Sequence, residues 1–566
     1  MWEKAEGHSV RGRRIPGLFI AGVLALLLLA ASTLGPGPTH GAPPDPTPTP
    51  FAGGLVRIPY EDRAQVSAWV RQGLDIWEVH PRHVVAWVTG PQHDQLRARG
   101  LSVEVLPQDR IGPRGTPSYP SCYRTYAQMR DFLLDTATQH PTLTTLLDVG
   151  DGWEKAQGLA DRDLWVLRIT SQAVPGPKPR LLIVAEHHAR ELIAPEVAMN
   201  FIEHLTRHYG VDPEVTWLVD DREIWVMPMA NPDGHIKAEN RLNWRKNTDD
   251  ANGCLEGDPP NFYGVDLNRN YAHQWGGEGA SDDPCSLVYQ GPTPFSEPET
   301  RAIRDLVVTQ GFDLLMDLHS YGDLILYPWS YTEDPAPDQA HLHAIAAKLA
   351  SYNDYKAQQG AALYLASGDA MDWAYGERGI PAFTFEIGSR DDGGFWPPCD
   401  RVDELWRENL QPLLYAAKIA EAPYRQVYGP DALELTLSRS LPITLEATIS
   451  DVHNGGQAIA SAQYFVDALG PEGAGRPMSP VDGDFDASVE QVRAILDLTG
   501  LGPGRHLIYV MGQDGDGHWG PPSAIFLELS PTPTATPPPT STPTATPRPT
   551  PTPPWFRVYL PLSRRD

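Results

Sequence analysis

The sequence predicts an α/β fold in which helices flank a mixed, mostly parallel sheet. Apolar runs typical of buried strands recur between residues 116 and 422, and helical patterns separate them. Because the strand runs are almost continuously apolar, helices should cover both faces of the sheet. A segment of about 300 residues is long enough to bury a large core. The strand candidates are Leu164–Thr170, Leu181–Ala185, Ile224–Met229, Phe312–Leu318 and Ala382–Glu386.

Helices with apolar residues at helical spacing separate these strands. Ala194–Tyr209 follows the strand candidate Leu181–Ala185, and Val402–Glu421 closes the segment. A further helix, Ser296–Gln310, begins with Ser296 and Glu299 at the spacing of a capping box.

Residues 55–110 predict a small α+β domain of the split βαβ type. A loop rich in glycine and proline follows at residues 111–117 and contains Arg114. The domain is therefore either permanent or removable by cleavage at a basic loop. Its strands and helices are predicted at Leu55–Tyr60, Asp62–Gly73, Ile76–His80, His83–Thr89, Pro91–Gly100 and Ser102–Leu106.

Residues 428–530 predict a β-sandwich, because short strands alternate with glycine-rich turns and no long helical period occurs. A Pro/Thr-rich linker follows at 531–554. The apolar tail at 555–566 is typical of a surface-attachment or sorting element, although one edge strand would give the same pattern. The strand candidates are Ile443–Ile449, Ala458–Val466, Val492–Leu498 and His506–Gly512.

Residues 1–32 predict an export signal peptide, with arginines before an apolar run at 17–31. That run is shorter than the about 20 apolar residues of a spanning helix, but an uncleaved anchor is the alternative. Residues 33–54 form a Pro/Thr-rich spacer. We therefore expect a secreted, extracellular protein that its C-terminal tail could hold at a cell surface.

The formal charge of −27 argues against nucleic acid as a partner, since phosphates would be repelled. An even number of cysteines in an exported protein predicts disulfide bonds, and four cysteines allow three pairings. None has the C-x-x-C spacing of a thiolate metal site. The cysteines are Cys122, Cys254, Cys285 and Cys399.

His188 and Glu191 form an H-x-x-E pair directly after the strand candidate Leu181–Ala185. Three residues span about one helical turn, so the imidazole and the carboxylate can face one point. These ligand types suit Zn²⁺, which takes three protein ligands in a catalytic site. The pair alone is a weak motif, and the interpretation depends on a third ligand, a base and arginines further along the chain.

Several later stretches are rich in the residue types of active sites. Two of them, Leu318–Tyr321 and Phe383–Glu386, end strand candidates. The others are Asn231–Gly234, Trp244–Lys246, Asp266–Asn270 and Tyr364–Asp369.

Together these motifs resemble the zinc carboxypeptidases of the carboxypeptidase A/B type, also called funnelins. The resemblance covers the segment 116–422, in which the motifs follow the family's order. Residues 55–110 are similar to the pro-segments of such enzymes. Residues 428–530 are similar to the immunoglobulin-like accessory domains of secreted bacterial enzymes. The resemblance implies one Zn²⁺ in the catalytic domain.

The resemblance also assigns the residues of the reaction. It implies that His188, Glu191 and His319 bind zinc and that Asp266 orients the first histidine. It implies that Glu386 is the general base, which takes a proton from the attacking water. Arg245 would stabilise the oxyanion.

Further residues match the family's substrate-binding positions. Asn268 and Arg269 would bind the terminal carboxylate of the peptide, because a guanidinium fits a carboxylate at two points. Met371 falls at a position that is apolar in A-type and acidic in B-type enzymes, which favours apolar or aromatic C-terminal residues. The nearby Asp369 would instead accept Lys or Arg. Arg190 would line the next subsite, and Tyr364 would cover bound substrate.

The sequence departs from the family at His187, where many relatives carry a small residue. Adjacent residues of a strand point to opposite sides, so we expect no metal role for this histidine. The resemblance implies a Cys254–Cys285 disulfide bond and, with it, a Cys122–Cys399 bond that ties the two ends of the domain.

The sequence therefore predicts a monomeric, secreted zinc metallocarboxypeptidase, made as a proenzyme, that acts on the C-termini of peptides or proteins. One alternative is a relative that cleaves bacterial wall peptides. The other is a non-catalytic surface binding protein on the same fold, although such proteins typically lack a ligand or the base.

Overall fold

The computed structural model of the protein describes residues 51–107, 119–254 and 263–530. Three sheets of four, eight and seven strands follow one another along this part of the chain. The predicted signal peptide, the basic loop around Arg114, the Pro/Thr-rich linker and the tail lie outside the described residues, as do residues 33–50 of the spacer.

The N-terminal sheet is antiparallel, with the strand order β2-β3-β1-β4. Two helices pack on it, and each begins at a residue whose side chain accepts a backbone hydrogen bond, Asp62 and Thr89. The order of elements is the predicted one. The elements are β1 (Gly53–Pro59), α1 (Arg63–Arg71), β2 (Asp75–His80), β3 (His83–Thr89), α2 (Gly90–Ala98) and β4 (Glu104–Val105).

The central sheet contains eight strands, and its predicted mixed, mostly parallel character is confirmed. Its strands are β5 (Thr144–Asp151), β6 (Asp163–Ile169), β7 (Arg180–Ala185), β8 (Glu223–Met227), β9 (Leu314–His319), β10 (Leu324–Tyr327), β11 (Lys356–Gln359) and β12 (Ala382–Glu386). The strand order is β11-β10-β12-β9-β7-β8-β6-β5. The inner strands β12, β9, β7 and β8 are parallel to one another.

Helices cover both faces of this sheet, as the apolar strands require. They are α3 (Tyr126–Gln139), α4 (Trp153–Ala156), α5 (Ile193–His208), α6 (Pro213–Asp221), α7 (Pro232–Glu239), α8 (Pro298–Gln310), α9 (Gln339–Ala350), α10 (Ala370–Arg378), α11 (Cys399–Ile419) and α12 (Pro423–Gln426). Short 3₁₀ turns occur at Leu267–Arg269 and Gly360–Ala362. Each face has its own apolar cluster, with α5 and α11 on one side and α8 and α10 on the other.

The C-terminal strands form one continuous antiparallel sheet in the order β13-β14-β17-β16-β15-β18-β19. The strand β16 pairs with β15 through its first half and with β17 through its second. Buried residues from both halves share one core, so the sheet folds over on itself, which is compatible with the predicted sandwich. The strands are β13 (Asp431–Leu437), β14 (Thr444–Ser450), β15 (Ile459–Val466), β16 (Arg476–Pro480), β17 (Val489–Ile495), β18 (Gly504–Asp514) and β19 (Ser523–Leu529).

The predicted strands of the central sheet lie within two residues of the observed ones, but the predicted capping box of α8 is wrong. The helix begins at Pro298, and its N-cap, Glu297, makes no side-chain cap. Ser296 Oγ donates to Glu297, and Glu299 accepts a hydrogen bond from the backbone N–H of Trp153. The carboxylate of Glu299, which a capping box would need, therefore bonds to the backbone of a residue far away in the chain.

Both expected disulfide bonds are present. Cys122 is bonded to Cys399, and Cys254 is bonded to Cys285. In the described ranges, no helix combines the length and apolar character that crossing a membrane demands.

Candidate active site

The candidate site lies where three neighbouring parallel strands end. β7 ends at Ala185, and the connection to α5 carries His188 and Glu191. β9 ends at His319, and β12 ends at Glu386. In the register of the sheet, Glu386 pairs with His319. Parallel neighbouring strands end at the same edge of a sheet, so these side chains lie together at one edge.

Three of these side chains converge closely. The Nδ1 atoms of His188 and His319 are 3.1 Å apart. Glu191 Oε1 is 2.8 Å from His188 Nδ1, and Glu191 Oε2 is 2.9 Å from His319 Nδ1. All three residues are buried. Two imidazole nitrogens and a carboxylate thus face one point, although His188 and His319 are 131 positions apart in the chain.

The charges around this point favour a cation. Burial and the nearby Arg245 lower the pKa of His188 and favour its neutral form. Burial would raise the pKa of Glu191, but His188 and His319 hold it below its usual range. Burial would also lower the pKa of His319, yet Asp317 and Glu191 raise it well above its ordinary value. The carboxylates around this point attract positive charge.

Asp266 lies behind His188 and holds its ring from the far side. Its Oδ1 is 3.1 Å from His188 Nε2, and its Oδ2 accepts a hydrogen bond of 3.0 Å from Arg245 Nε. Burial would raise the pKa of Asp266, but Arg245 and Arg269 lower it well below its usual range. A charged carboxylate at Nε2 directs Nδ1 of the ring toward Glu191.

Glu386 faces the same space from the end of β12. Burial raises the pKa of Glu386 to about 8, with Glu191 adding to the rise and with His319 and Arg245 opposing it. A carboxyl group with a raised pKa can exchange protons near neutral pH. The position and the environment of Glu386 suit a proton acceptor.

Arg269 and Asn268 sit in the short 3₁₀ turn and are both buried. Arg269 donates to two backbone carbonyl groups, and its guanidinium lies 5.9 Å from the ring centre of Tyr364. The amide of Asn268 accepts a hydrogen bond from Ala370 N–H, and its Nδ2 is 3.3 Å from His319 Nε2. Asn268 therefore adjoins His319, with Arg269 next to it and Tyr364 next to Arg269 in turn.

Met371 and Asp369 begin helix α10 and are both buried. Met371 Sδ accepts a hydrogen bond of 3.6 Å from the Thr384 hydroxyl on β12. Asp369 is the N-cap of α10 and accepts a hydrogen bond of 2.7 Å from Asp372 N–H. Burial raises the pKa of Asp369, which disfavours its charged form. Asp369 therefore already has a structural partner.

Arg190 does not face open solvent, because the N-terminal sheet covers it. Its guanidinium donates two hydrogen bonds, of 2.6 and 2.7 Å, to the carboxylate of Asp75 on β2. The same guanidinium lies 4.2 Å from the ring centre of Phe395 and 5.9 Å from that of Trp77. The N-terminal domain thus contributes a carboxylate to the candidate substrate site.

Other contacts hold that domain against the same face. Glu78 accepts a hydrogen bond of 3.4 Å from the Tyr321 hydroxyl and lies 3.3 Å from Arg390 Nε. Arg63 on α1 donates to the backbone carbonyl of Ala361, near the segment that carries Tyr364.

Two residues near the site were missed by sequence reasoning. Asp75 carries no local signal, since its partner Arg190 lies in another domain. Asp317 lies between His187 and His319, and a lone carboxylate in the otherwise apolar β9 could have indicated it. His187 points away from the converging side chains, as expected, and contacts Asp317 and Tyr271.

The donor set fits zinc. Two neutral imidazole nitrogens and one carboxylate are the ligands of many catalytic zinc sites, which keep a fourth position open. The three ligand atoms lie within 4.8 Å of one another. The excess of negative charge around them favours a divalent cation.

Comparison with known proteins gives a consistent result. The sequence model of the zinc carboxypeptidase family matches residues 129–412. Carboxypeptidase A1 of Mus musculus is 32% identical over 369 residues, which cover 62% of this chain and 81% of that protein. A zinc carboxypeptidase of Saccharothrix mutabilis is 30% identical over 359 residues, 58% of this chain and 80% of that protein. The crystal structure of thrombin activatable fibrinolysis inhibitor is similar with a TM-score of 0.54 and 25% identity, over 66% of this chain and 100% of that chain.

We expect the purified protein to bind one zinc ion per chain. Glu191→Gln should weaken zinc binding by more than about 100-fold, because loss of even a hydrogen-bond partner of a ligand costs about 10–100-fold. Metal analysis and competition with a chromogenic chelator measure both quantities. Glu333→Gln, at an exposed glutamate, is the control. Unchanged zinc affinity in Glu191→Gln would contradict the ligand assignment.

Proposed function

The chain belongs to the zinc carboxypeptidase family and is a metallocarboxypeptidase, and from this premise we propose that it is a secreted enzyme that removes apolar or aromatic C-terminal residues. The observation that supports the proposal most is the convergence of His188, Glu191 and His319, with Glu386 paired to His319 at the same sheet edge.

In this proposal, His188, Glu191 and His319 would hold zinc, which would act as a Lewis acid on a water molecule and on the scissile carbonyl group. Glu386 takes a proton from that water on its carboxylate and then gives it to the leaving amine. Its partly desolvated position supports the role, because desolvation brings a carboxylate pKa toward neutrality.

Arg245 stabilises the negative charge that develops on the carbonyl oxygen. Asp266 fixes the orientation of its guanidinium through the Nε contact of 3.0 Å, so little reorganisation is needed during the reaction. Because Asp266 also contacts His188, one carboxylate aligns the oxyanion donor and the ligand histidine.

Arg269 and Asn268 bind the free carboxylate of the peptide, which restricts the enzyme to C-terminal residues. Arg269 is almost fully buried, at 3% exposure, so a substrate without that carboxylate would leave a buried cation unpaired. Tyr364 then packs over the bound residue next to Arg269.

Met371 and Thr384 favour an apolar side chain in the specificity pocket. Asp369 would bind a Lys or Arg side chain only if its carboxylate were charged and free of other partners. It is neither, because it caps α10 and its pKa is raised. We therefore propose a preference for apolar and aromatic residues over basic ones.

The N-terminal domain acts as an inhibitory pro-segment in this proposal. Asp75 occupies the guanidinium of Arg190, which would otherwise contact the peptide next to the scissile bond. Removing the domain would free Arg190 and uncover the neighbouring aromatic rings. Secretion, the signal peptide, a monomeric state and surface attachment through the tail remain parts of the same proposal.

The alternatives receive less support. A non-catalytic binding protein would not need an intact His188, Glu191, His319 and Glu386 set. A wall-peptide enzyme would be favoured by a polar pocket, whereas Met371 is apolar; an assay on muropeptides separates this alternative from the peptidase.

Replacing Glu386 by Gln should reduce kcat by about 10²–10⁴-fold, because the proton acceptor is lost while the ligands stay. A chromogenic peptide with a free C-terminus measures kcat, and metal analysis should still find bound zinc. Glu377→Gln, at an exposed position of α10, is the control. If Glu386→Gln turned over at the wild-type rate, another group would be the base.

For peptides that differ only in the last residue, we expect kcat/KM for Phe and Leu to exceed that for Arg by at least about tenfold, because a charge in an apolar pocket is costly. Asp369→Asn keeps a good N-cap but removes the carboxylate. In this variant, the ratio of kcat/KM for the Arg peptide to kcat/KM for the Phe peptide should be the same as in the wild type. If kcat/KM were higher for the Arg peptide than for the Phe peptide, and if Asp369→Asn lowered only the Arg value, Asp369 would bind basic residues.

Asp75→Asn should raise the activity of the uncleaved chain by at least tenfold, because an unpaired buried Arg190 weakens docking of the N-terminal domain by about 3–5 kcal/mol. The activity is measured on full-length protein whose integrity is checked by mass spectrometry. Asp94→Asn, on the exposed side of α2, is the control. Equal activity of wild-type protein before and after removal of the domain would show that the domain is not inhibitory.

A further inference from the structure

A second group of polar side chains lies behind the converging histidines, on the side away from Glu386. Asp317 Oδ2 is 2.9 Å from His319 Nε2, and its Oδ1 is 2.9 Å from His187 Nδ1. His187 Nε2 is in turn 2.7 Å from the hydroxyl of Tyr271. None of the four residues is more than 2% exposed.

The backbone explains this arrangement. Asp317 and His319 are two residues apart on β9, so their side chains leave the same face of the strand. His187 follows β7, which is the parallel neighbour of β9. The rings of His187 and His319 are parallel within 3° and their centres are 5.7 Å apart, with the carboxylate bridging their edges.

A buried carboxylate is costly unless its oxygens are hydrogen-bonded. Here each oxygen of Asp317 has an imidazole partner, and the second nitrogen of His187 has the Tyr271 hydroxyl. Every polar side-chain atom of this network therefore has a partner.

Carboxylate oxygens face both nitrogens of His319, so the nitrogen that binds a metal decides which one carries the hydrogen. Its Nε2 contacts Asp317 Oδ2 and, at 3.3 Å, Asn268 Nδ2. Only the carboxylate can accept a hydrogen bond, since an amide NH₂ is a donor. With Nδ1 bound to zinc in the proposed site, the N–H of His319 would be at Nε2 and would donate to Asp317, while Glu191, 2.9 Å from Nδ1, would share the ion.

His188 is held in the same way by Asp266, whose other oxygen binds the Arg245 cation. The oxygen of Asp317 that does not contact His319 is instead hydrogen-bonded to the imidazole of His187. The two ligand histidines are therefore fixed by separate carboxylates, and each carboxylate is fixed by a further residue.

We propose that Asp317 is a positioning residue that holds His319 in the metal-binding tautomer and orientation, and that His187 and Tyr271 hold Asp317. The inference rests on the proposed zinc site but is independent of the substrate. It gives His187, which departs from the family pattern, a role as support for a ligand.

His187, Asp317 and His319 also have donor atoms within 4.8 Å of one another, which is the spacing of a metal site. A second ion there would need the Nε2 lone pair of His319. A neutral imidazole has only one lone pair on nitrogen, and in the proposed zinc site that of His319 is used at Nδ1. A second ion would require an imidazolate, so we assign this group to hydrogen bonding.

The test compares zinc dissociation constants of full-length wild type, Asp317→Asn, His187→Gln and the double variant, by competition with a chromogenic chelator. Asp317→Asn should bind zinc about 10–100-fold more weakly. His187→Gln should lose at least threefold but less than Asp317→Asn. The double variant should match Asp317→Asn, because His187 acts through Asp317. Asp305→Asn, exposed on α8, is the control.

The absorption spectrum of the cobalt-substituted proteins gives a second readout. Asp317→Asn should shift the visible bands, which a purely structural role would leave unchanged in folded protein. If Asp317→Asn does not fold, the affinity loss and spectral shift of His187→Gln decide alone.

The outcomes separate this inference from the proposed function. Zinc affinities within twofold of wild type in both folded variants would overturn the inference and leave the peptidase proposal intact. Two zinc ions in wild type, with one lost in Asp317→Asn, would overturn it in favour of a second metal site. A wild-type chain that binds no zinc would overturn both.

Discussion

The parallel pairing of β9 with β7 and β12 is the constraint on which the site depends. It ends three neighbouring strands at one edge and sets Glu386 beside His319, while the turn after β7 brings His188 and Glu191 to the same point. Helices bury the strands on both faces, so a slip of register would exchange the side chains packed on the two faces and separate the candidate ligands. The energy that holds the core therefore also holds the site.

Paired charges hold the side chains that meet at this edge of the sheet. Carboxylates lie on both sides of the converging histidines, and their attraction for positive charge is met by Arg245 on one side and by His187 on the other. A divalent cation would complete this pattern, since it would neutralise the remaining carboxylate, Glu191. The N-terminal domain follows the same rule, because Asp75 pairs with the buried Arg190, which we propose would otherwise contact the peptide.

Much of this could be predicted from the sequence, because the strands are long apolar runs and the ligands stand directly after them. His188, Glu191 and His319 belong to motifs with fixed spacing and order. Asp317 and Asp75 could not be found in that way, since their roles arise from partners in other strands or domains. The capping box at Ser296 failed for the related reason that a distant backbone N–H uses Glu299. Local patterns cannot show such competition.

Anomalous scattering from a crystal of the zinc-loaded protein would locate the metal. We expect one peak, with His188 Nδ1 and His319 Nδ1 at about 2.0–2.1 Å and a Glu191 oxygen at about 2.0–2.2 Å. We also expect Asp317 to remain on His319 Nε2, outside bonding distance of the ion. A single peak bound by His187 and Asp317, or by none of the three predicted ligands, would contradict the account.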